Sequence, residues 1–223
     1  LADGVNAIQL GERFCSNQRR HQKLLEEGPW LTEKVRAEIG ERVCEGARSV
    51  GYRGLATFEF LRDKHGVFYF LEVNPRVQVE HTITEMITGV DLVKMGIQVA
   101  AGQGLPLQQA DVKFSGHSIQ CRLNAEDPIN FIPSPGKLWD CHFPGGRGVR
   151  VDTHAHIGYE MPGCFDSLLA KLIVWGQDRD EAIAKMRAAL TETTLIGVQT
   201  VVPLHLAILN EPDFIARDVT IQY

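Results

Sequence analysis

Glu72, Asn74, Arg76, Gln78 and Glu80 occupy every second position of the stretch LEVNPRVQVEH (71–81), with Val73, Pro75, Val77 and Val79 between them. Period-2 alternation is what an amphipathic surface strand shows, one face buried and one in water. Surface strands are usually filled with Thr, Ser and Lys, however, not with acid, amide, guanidinium, amide and acid in a row. The residue types have chemical uses. Carboxylate and amide oxygens suit a hard divalent cation such as Mg²⁺ or Mn²⁺, which commonly also holds substrate phosphates. Arg76 offers a planar fork for a carboxylate, bicarbonate or phosphate, and Glu80 is a candidate general base.

A third acid joins this row through a hairpin. The runs LATFEFLRD and VFYFLEVN flank DKHG (63–66), which reads as the turn between two strands. A two-residue turn closing Asp63 on Gly66 sets Glu59 opposite Phe70 and diagonal to Glu72 on one face. Diagonal neighbours lie about 7–8 Å apart at the backbone, and like charges so placed repel unless a cation lies between them. Glu59, Glu72 and Asn74 are therefore the candidate metal ligands. Solvation of Glu59, or its pairing with Arg62 or Arg76, is the competing reading of the same hairpin, and a slip of one residue would send the acids to opposite faces. Pro75 interrupts the ladder, so the polar row is expected to continue into a loop.

Around these residues the chain reads as a mixed α+β protein. A helix is expected over 32–50, with Thr32 as its cap and Val35, Ile39, Val43 and Ala47 four apart. One helical stretch is expected from His81 to about Gly102. Beyond a composition shift at 108–116, HSIQCRL and LLAKLIVW read as strands, 178–194 as an amphipathic helix and the segment from Pro203 to Asn210 as a short one. The expected division is 1–115 and 116–223.

Bulk properties narrow the function classes. The 223 residues are 44% apolar and 23% charged, enough for a packed core, and the net charge of −5 gives no general attraction to nucleic acid. The longest apolar run is broken by Lys171 and is too short to span a bilayer. Five scattered cysteines with no CxxC pair suggest neither a zinc site nor a disulfide framework, and fit a reducing, cytoplasmic setting. His154 and His156 form an HxH pair with no evident third ligand and read as structural. The glycine-rich PGGRGVR has no following Lys-Ser/Thr and is not a P-loop; Arg147 and Arg150 in it are candidates for an interface between copies of the chain.

Read together and in order, ERFCSNQRRHQK, GYRGLATFEFL, YFLEVNPRVQVEHTITEMITGVDLV, CRLNAEDP, FIPSPGK and CFDSLLAKL resemble the biotin carboxylase family of the ATP-grasp superfamily. The resemblance covers essentially the whole chain. It implies the carboxyl-terminal part of an ATP-grasp fold followed by a biotin carboxylase carboxyl-terminal domain. It also implies ATP-dependent carboxylation of biotin by bicarbonate through carboxyphosphate, most commonly within acetyl-CoA carboxylase. By motif, Glu59, Glu72 and Asn74 would hold Mg²⁺ or Mn²⁺. Arg76, Gln78 and Val79 would hold bicarbonate, and Glu80 would deprotonate it. Lys23 would contact bicarbonate and carboxyphosphate, and Arg122 would stabilise the biotin enolate. Gln18, His21, Leu61 and Val198 would line the nucleotide, with the two metal-binding acids on its phosphates.

The implied partners are a biotin carboxyl carrier protein, a carboxyltransferase and a second copy of the chain, with no nucleic acid and no membrane. Some features depart from the family pattern. EEGPWLTE lacks a second proline-rich stretch, and one position of the HxH pair is usually aromatic. The family's amino-terminal domain and glycine-rich lid would precede Leu1, so this chain alone is expected to turn over poorly or not at all. A carbamoyl-phosphate synthetase-like ligase would share the acid, acid, amide set but not RVQVEH with CRLNAEDP. A non-catalytic piece is the third reading.

Overall fold

A computed structural model describes residues 1–19 and 21–221. In chain order the main elements are β1 (Phe14–Arg19), β2 (Gln22–Gly28), α1 (Glu33–Ser49), β3 (Thr57–Arg62), β4 (Phe68–Asn74), α2 (His81–Thr88) and α3 (Leu92–Ala100). They are followed by β5 (His117–Asn124), β6 (Val149–Thr153), β7 (Leu168–Gly176), α4 (Arg179–Glu192), α5 (Val202–Ile208) and α6 (Pro212–Ala216). Two- and three-residue strands add small antiparallel pairs between them. All strand pairs described are antiparallel, giving the mixed α and β fold that the residue pattern implied. No helix among the described residues is long and apolar enough to cross a membrane.

The chain forms two compact units: Leu1–Arg13 with Pro29–Ser115, and Phe14–Gly28 with Gly116–Tyr223. In the first, Thr32 caps α1 by accepting from the Val35 amide, as its position before the apolar repeat predicts. The single helix expected after His81 is instead two. Gly89 takes a left-handed conformation (φ +70°) that ends α2, and the Asp91 carboxylate accepts from the Lys94 amide to start α3. A left-handed residue cannot continue a helix, and glycine adopts it without steric cost. Ile8, Leu10, Val90, Leu92 and Val112 form a core of this unit.

Arg36 of α1 gathers the places where the chain leaves and re-enters this unit. It donates to Glu12 (Nε to Oε2 2.7 Å) and lies over the Phe114 ring at 4.6 Å, while Glu12 Oε1 accepts from the Trp30 and Leu31 amides at 2.8 and 2.6 Å.

The second unit is built on a five-stranded sheet ordered β6-β7-β5-β2-β1. Its core face carries Leu25, Ile119, Cys121, Leu123, Leu172 and Val174, and α4 covers it with Ala182, Ile183, Met186 and Leu190. The hairpin β1–β2 belongs to this sheet, with Leu25 paired to Cys121 and Glu26 to Gln120. At one end a buried network ties four elements together. The Glu27 carboxylate accepts from His117 Nε2 at 2.7 Å and from Arg179 Nε and Nη2 at 2.7 and 3.0 Å; Arg179 also donates to the Phe214 and Ile215 carbonyls. Burial alone would raise the Glu27 carboxyl, but these bonds outweigh it and hold it below the usual carboxylate value. All five cysteines are free thiols, and Cys44 and Cys121 are buried.

Candidate functional site

The hairpin β3–β4 brings the acids together by a different register from the one counted on the sequence. Asp63 pairs with Val67, not Gly66: the Asp63 amide donates to the Val67 carbonyl at 3.0 Å, and Gly66 has φ +85°. This is a three-residue loop with a left-handed glycine, and the Asp63 side chain accepts from the His65 and Val67 amides inside it. Phe60 accordingly faces Phe70. A bulge then places Glu59 directly across from Glu72 and Thr57 across from Asn74. The pair expected on a diagonal is thus a direct cross-strand pair. Leu61 and Thr57 lie on the same face of β3 as Glu59, two residues to either side.

Two like charges set opposite each other need a positive or donor group between them. Asn74 supplies one: its Nδ2 donates to Glu59 Oε1 at 3.2 Å and to Glu72 Oε1 at 3.0 Å. Its carbonyl oxygen turns the other way and accepts from Arg76 Nη2 at 3.4 Å. Two carboxylates and an amide side by side are the residue types from which Mg²⁺ or Mn²⁺ takes oxygen ligands, and they fit such an ion once the Asn74 amide turns its oxygen, in place of Nδ2, toward the carboxylates. Among the described residues no group of three or more His, Cys, Asp or Glu side chains has metal-site geometry; the acids of this hairpin number two, with Asn74 between them. His154 stacks edge-on against Tyr159 at 5.0 Å between ring centroids.

Beyond Asn74 the chain leaves the ladder at Pro75, which has no N–H to give. Arg76 Nη1 donates to the Val77 carbonyl, keeping its exposed fork near the backbone. Gln78 turns inward: it is 6% exposed, and its Nε2 donates to Glu59 Oε1 at 2.8 Å. The Gln78 backbone carbonyl accepts from His81, from the backbone amide at 3.2 Å and from Nδ1 at 2.7 Å. Val79 is half-buried, and Glu80 is buried at the amino end of α2. Glu59, Glu72, Asn74, Arg76 and Gln78 therefore form one hydrogen-bonded chain, with Leu61, Val79 and Glu80 beside it on the same elements.

The remaining candidates lie in the second unit. Gln18 and Lys23 are cross-strand partners on β1–β2, and the Gln18 amide donates to the Cys15 carbonyl at 2.7 Å. His21 is exposed in the turn with φ +66°. Arg122 on β5 is fixed by Glu26 (Nε to Oε1 2.7 Å), whose carboxylate is fully buried and also accepts from Gln120 Nε2 at 3.0 Å. Val198 packs against the small core of Ala125, Leu138, Ala155, Met161 and Leu169.

Two residues of these networks escaped the sequence reading. Arg13 is one, because its partners are 44 to 71 positions away. Glu26 is the other. Its signal was present: two consecutive acids in KLLEEG, inside an apolar strand, are unusual unless each has a buried partner.

Comparison with known proteins bears on what these networks serve. Residues 1–108 match the family model of the carbamoyl-phosphate synthase L chain, ATP binding domain, and residues 120–223 match the biotin carboxylase C-terminal domain. The biotin carboxylase of Allochromatium vinosum is 52% identical over all of this chain and 50% of its own length. The chain belongs to the biotin carboxylase family. It spans about half the length of the curated relatives it matches. A pyruvate carboxylase subunit of Methanothermobacter thermautotrophicus is 50% identical over 94% of this chain and 43% of that one. Among solved structures, a biotin carboxylase–βγ-ATP complex from Campylobacter jejuni superposes with a TM-score of 0.96 at 46% identity, over all of this chain and 50% of that one. The biotin carboxylase domain dimer of Hydrogenobacter thermophilus 2-oxoglutarate carboxylase, with MgADP, ADP and bicarbonate, gives 0.97 at 46% over the same shares.

Proposed function

We propose that this chain supplies the metal, bicarbonate and carboxylation residues of an ATP-dependent biotin carboxylase. The observation that carries the reading is the convergence of the Glu59 and Glu72 carboxylates on Asn74, at 3.2 and 3.0 Å, with the Arg76 fork on the far side of the same amide. A divalent ion held there would neutralise the phosphate charge of ATP and its leaving ADP. Phosphoryl transfer needs that neutralisation and positioning more than covalent help.

Within this reaction each side chain has one task. The Arg76 guanidinium, with Gln78 and the Val79 segment, orients bicarbonate beside the phosphates, where a planar fork suits a planar anion. Glu80, buried at the amino end of α2, takes the bicarbonate proton as the general base. Lys23 steadies the anionic carboxyphosphate. Arg122, its plane fixed by Glu26, faces the enolate oxygen that develops on biotin as N1 is carboxylated. Leu61 offers an exposed apolar side chain for the adenine, and Gln18, His21 and Val198 are assigned to the nucleotide as well. We assign residues 1–115 to the ATP-grasp portion and 116–223 to the carboxyl-terminal domain, with the Phe14–Gly28 hairpin extending the latter's sheet.

The same reading supplies the partners: biotin on a carrier protein, a carboxyltransferase, and a second copy, as in the Hydrogenobacter thermophilus dimer. Acetyl-CoA is the acceptor we favour, on its frequency among such enzymes, and the cytoplasm the compartment. The test is bicarbonate-dependent ADP release by the full-length protein, with and without free biotin, beside its Glu80→Gln variant. Stimulation by biotin that falls by about 10²–10⁴-fold in the variant is expected. ADP release indifferent to bicarbonate and biotin would overturn the reading in favour of another ATP-grasp ligase.

A further inference from the structure

Arg13 ends a sequence segment of the first unit, and its side chain points into the network around Glu59. Its guanidinium donates to three oxygens on three elements: Thr57 Oγ1 at the start of β3 (3.0 Å), Thr84 Oγ1 on α2 (2.9 Å) and Gln78 Oε1 in the loop between β4 and α2 (2.9 Å). A guanidinium has donors and no acceptor, so the end of the Gln78 amide that meets it must be the carbonyl oxygen. The other end, Nε2, is thereby turned onto Glu59 Oε1 at 2.8 Å.

The contact settles an orientation that the near-identical shape of an amide's two ends leaves open. It also gives the buried Gln78 side chain a polarity. Without Arg13 the carbonyl end loses the donor that holds it, and a flipped amide would set a carbonyl oxygen against a carboxylate. Glu59 would then turn away from the point it shares with Glu72 and Asn74.

We propose that Arg13 is a positioning residue that acts through Gln78, holding the Glu59 carboxylate in the orientation that receives the divalent ion. The proposal rests on the metal assignment above and adds to it a residue outside the acid and amide set. Arg13 does not touch the ion or the substrate. Its effect is transmitted by one amide, so it disappears when that amide is gone.

The experiment is a double-mutant cycle in the full-length protein, using Arg13→Met, Gln78→Met and the pair. The primary readout is Mn²⁺ affinity in the presence of ADP, followed by electron paramagnetic resonance and needing no turnover. A thermal melt of each variant is recorded alongside. Arg13→Met and Gln78→Met are each expected to weaken Mn²⁺ by about tenfold, the size of one hydrogen bond to a charged group. The double variant is expected to be no weaker than Gln78→Met alone.

Additive losses, or Mn²⁺ affinity unchanged in Arg13→Met, would overturn the inference. A lowered melting temperature with Mn²⁺ affinity intact would do the same, since it would make Arg13 a purely structural strap. Failure of the functional reading looks different: ADP release would be indifferent to biotin in the unaltered protein, while the non-additive loss of Mn²⁺ could still stand.

Discussion

His205 in α5 should make this protein lose stability in mild acid, and the size of the loss follows from its surroundings. The ring is fully buried, and its Nε2 lies 2.7 Å from the Arg122 carbonyl oxygen, an acceptor, so Nε2 carries the proton of the neutral ring. Nδ1 is buried and has no partner among the described residues. Burial lowers the pKa from 6.5 to about 4, outweighing the bond to the Arg122 carbonyl that favours the charged form. Between pH 6.5 and 4 the unfolded chain therefore binds a proton that the folded one refuses. Stability from this group is fully present above pH 6.5 and is lost as pH falls toward 4.

Linkage across that interval gives about 2 kcal/mol lost between pH 7.5 and 5, and about 3 kcal/mol by pH 4. Urea unfolding of the parent and of His205→Gln at pH 7.5, 6 and 5 isolates the effect. Gln keeps a donor for the Arg122 carbonyl and cannot be protonated, while the other seven histidines contribute equally to both proteins. The variant should lose about 2 kcal/mol less than the parent over this range. Identical pH slopes would refute the reasoning.

Other parts of the fold make equally definite demands. Arg179→Met leaves the buried Glu27 carboxylate without its main cation and should cost about 3–5 kcal/mol. Differential scanning calorimetry should show that as a Tm lower by about 6–20 °C, with partial recovery in Glu27→Leu/Arg179→Met. Gly197→Ala puts a Cβ at φ +116° only 1.9 Å from the Lys137 carbonyl oxygen, so a loss of at least about 2 kcal/mol is expected by denaturant unfolding. In the hairpin, deleting Leu71 should leave Mn²⁺ affinity within a few-fold of the parent, because Glu59 and Glu72 stay opposite each other. Deleting Val73, another exposed apolar residue, should abolish it by moving Asn74 to the other face.

Much of the local structure was legible because its causes are local. Thr32 before the Val35, Ile39, Val43 repeat named α1 to within a residue, and Asp178 before the amphipathic run named α4. The break between α2 and α3 was equally local, in Gly89 and Asp91, yet apolar periodicity running through both helices masked it. The attachment of β1–β2 to the second unit's sheet could not be read, since Leu25 finds Cys121 across 96 positions with no local mark of the pairing. The site divides along the same line. The acids, the amide and Arg76 lie within one hairpin and its exit, where spacing constrains them. Arg13 and Glu26 join the networks through distant partners, and only an anomaly such as two buried acids in one strand hints at them.

The hairpin shows how counting by twos can bring the same residues to one face by the wrong register. Each extra residue between two paired strands exchanges the faces of everything beyond it. The three-residue loop is one such residue more than the two-residue turn, and by itself it would set Glu59 opposite Leu71 and put Glu72 on the other face. The bulge at Leu71 is a second extra residue, and it exchanges the faces again. Two odd irregularities leave the parity unchanged, so the same-face relation of Glu59, Glu72 and Asn74 survives while the diagonal becomes a direct pair. That closer placement raises the repulsion between the acids and so the need for a donor between them. Asn74, Gln78 and, behind it, Arg13 fill that need. A bulge costs ladder hydrogen bonds and exposes Leu71. Its position, at the one step where it restores both acids to one face, makes it part of the site's construction.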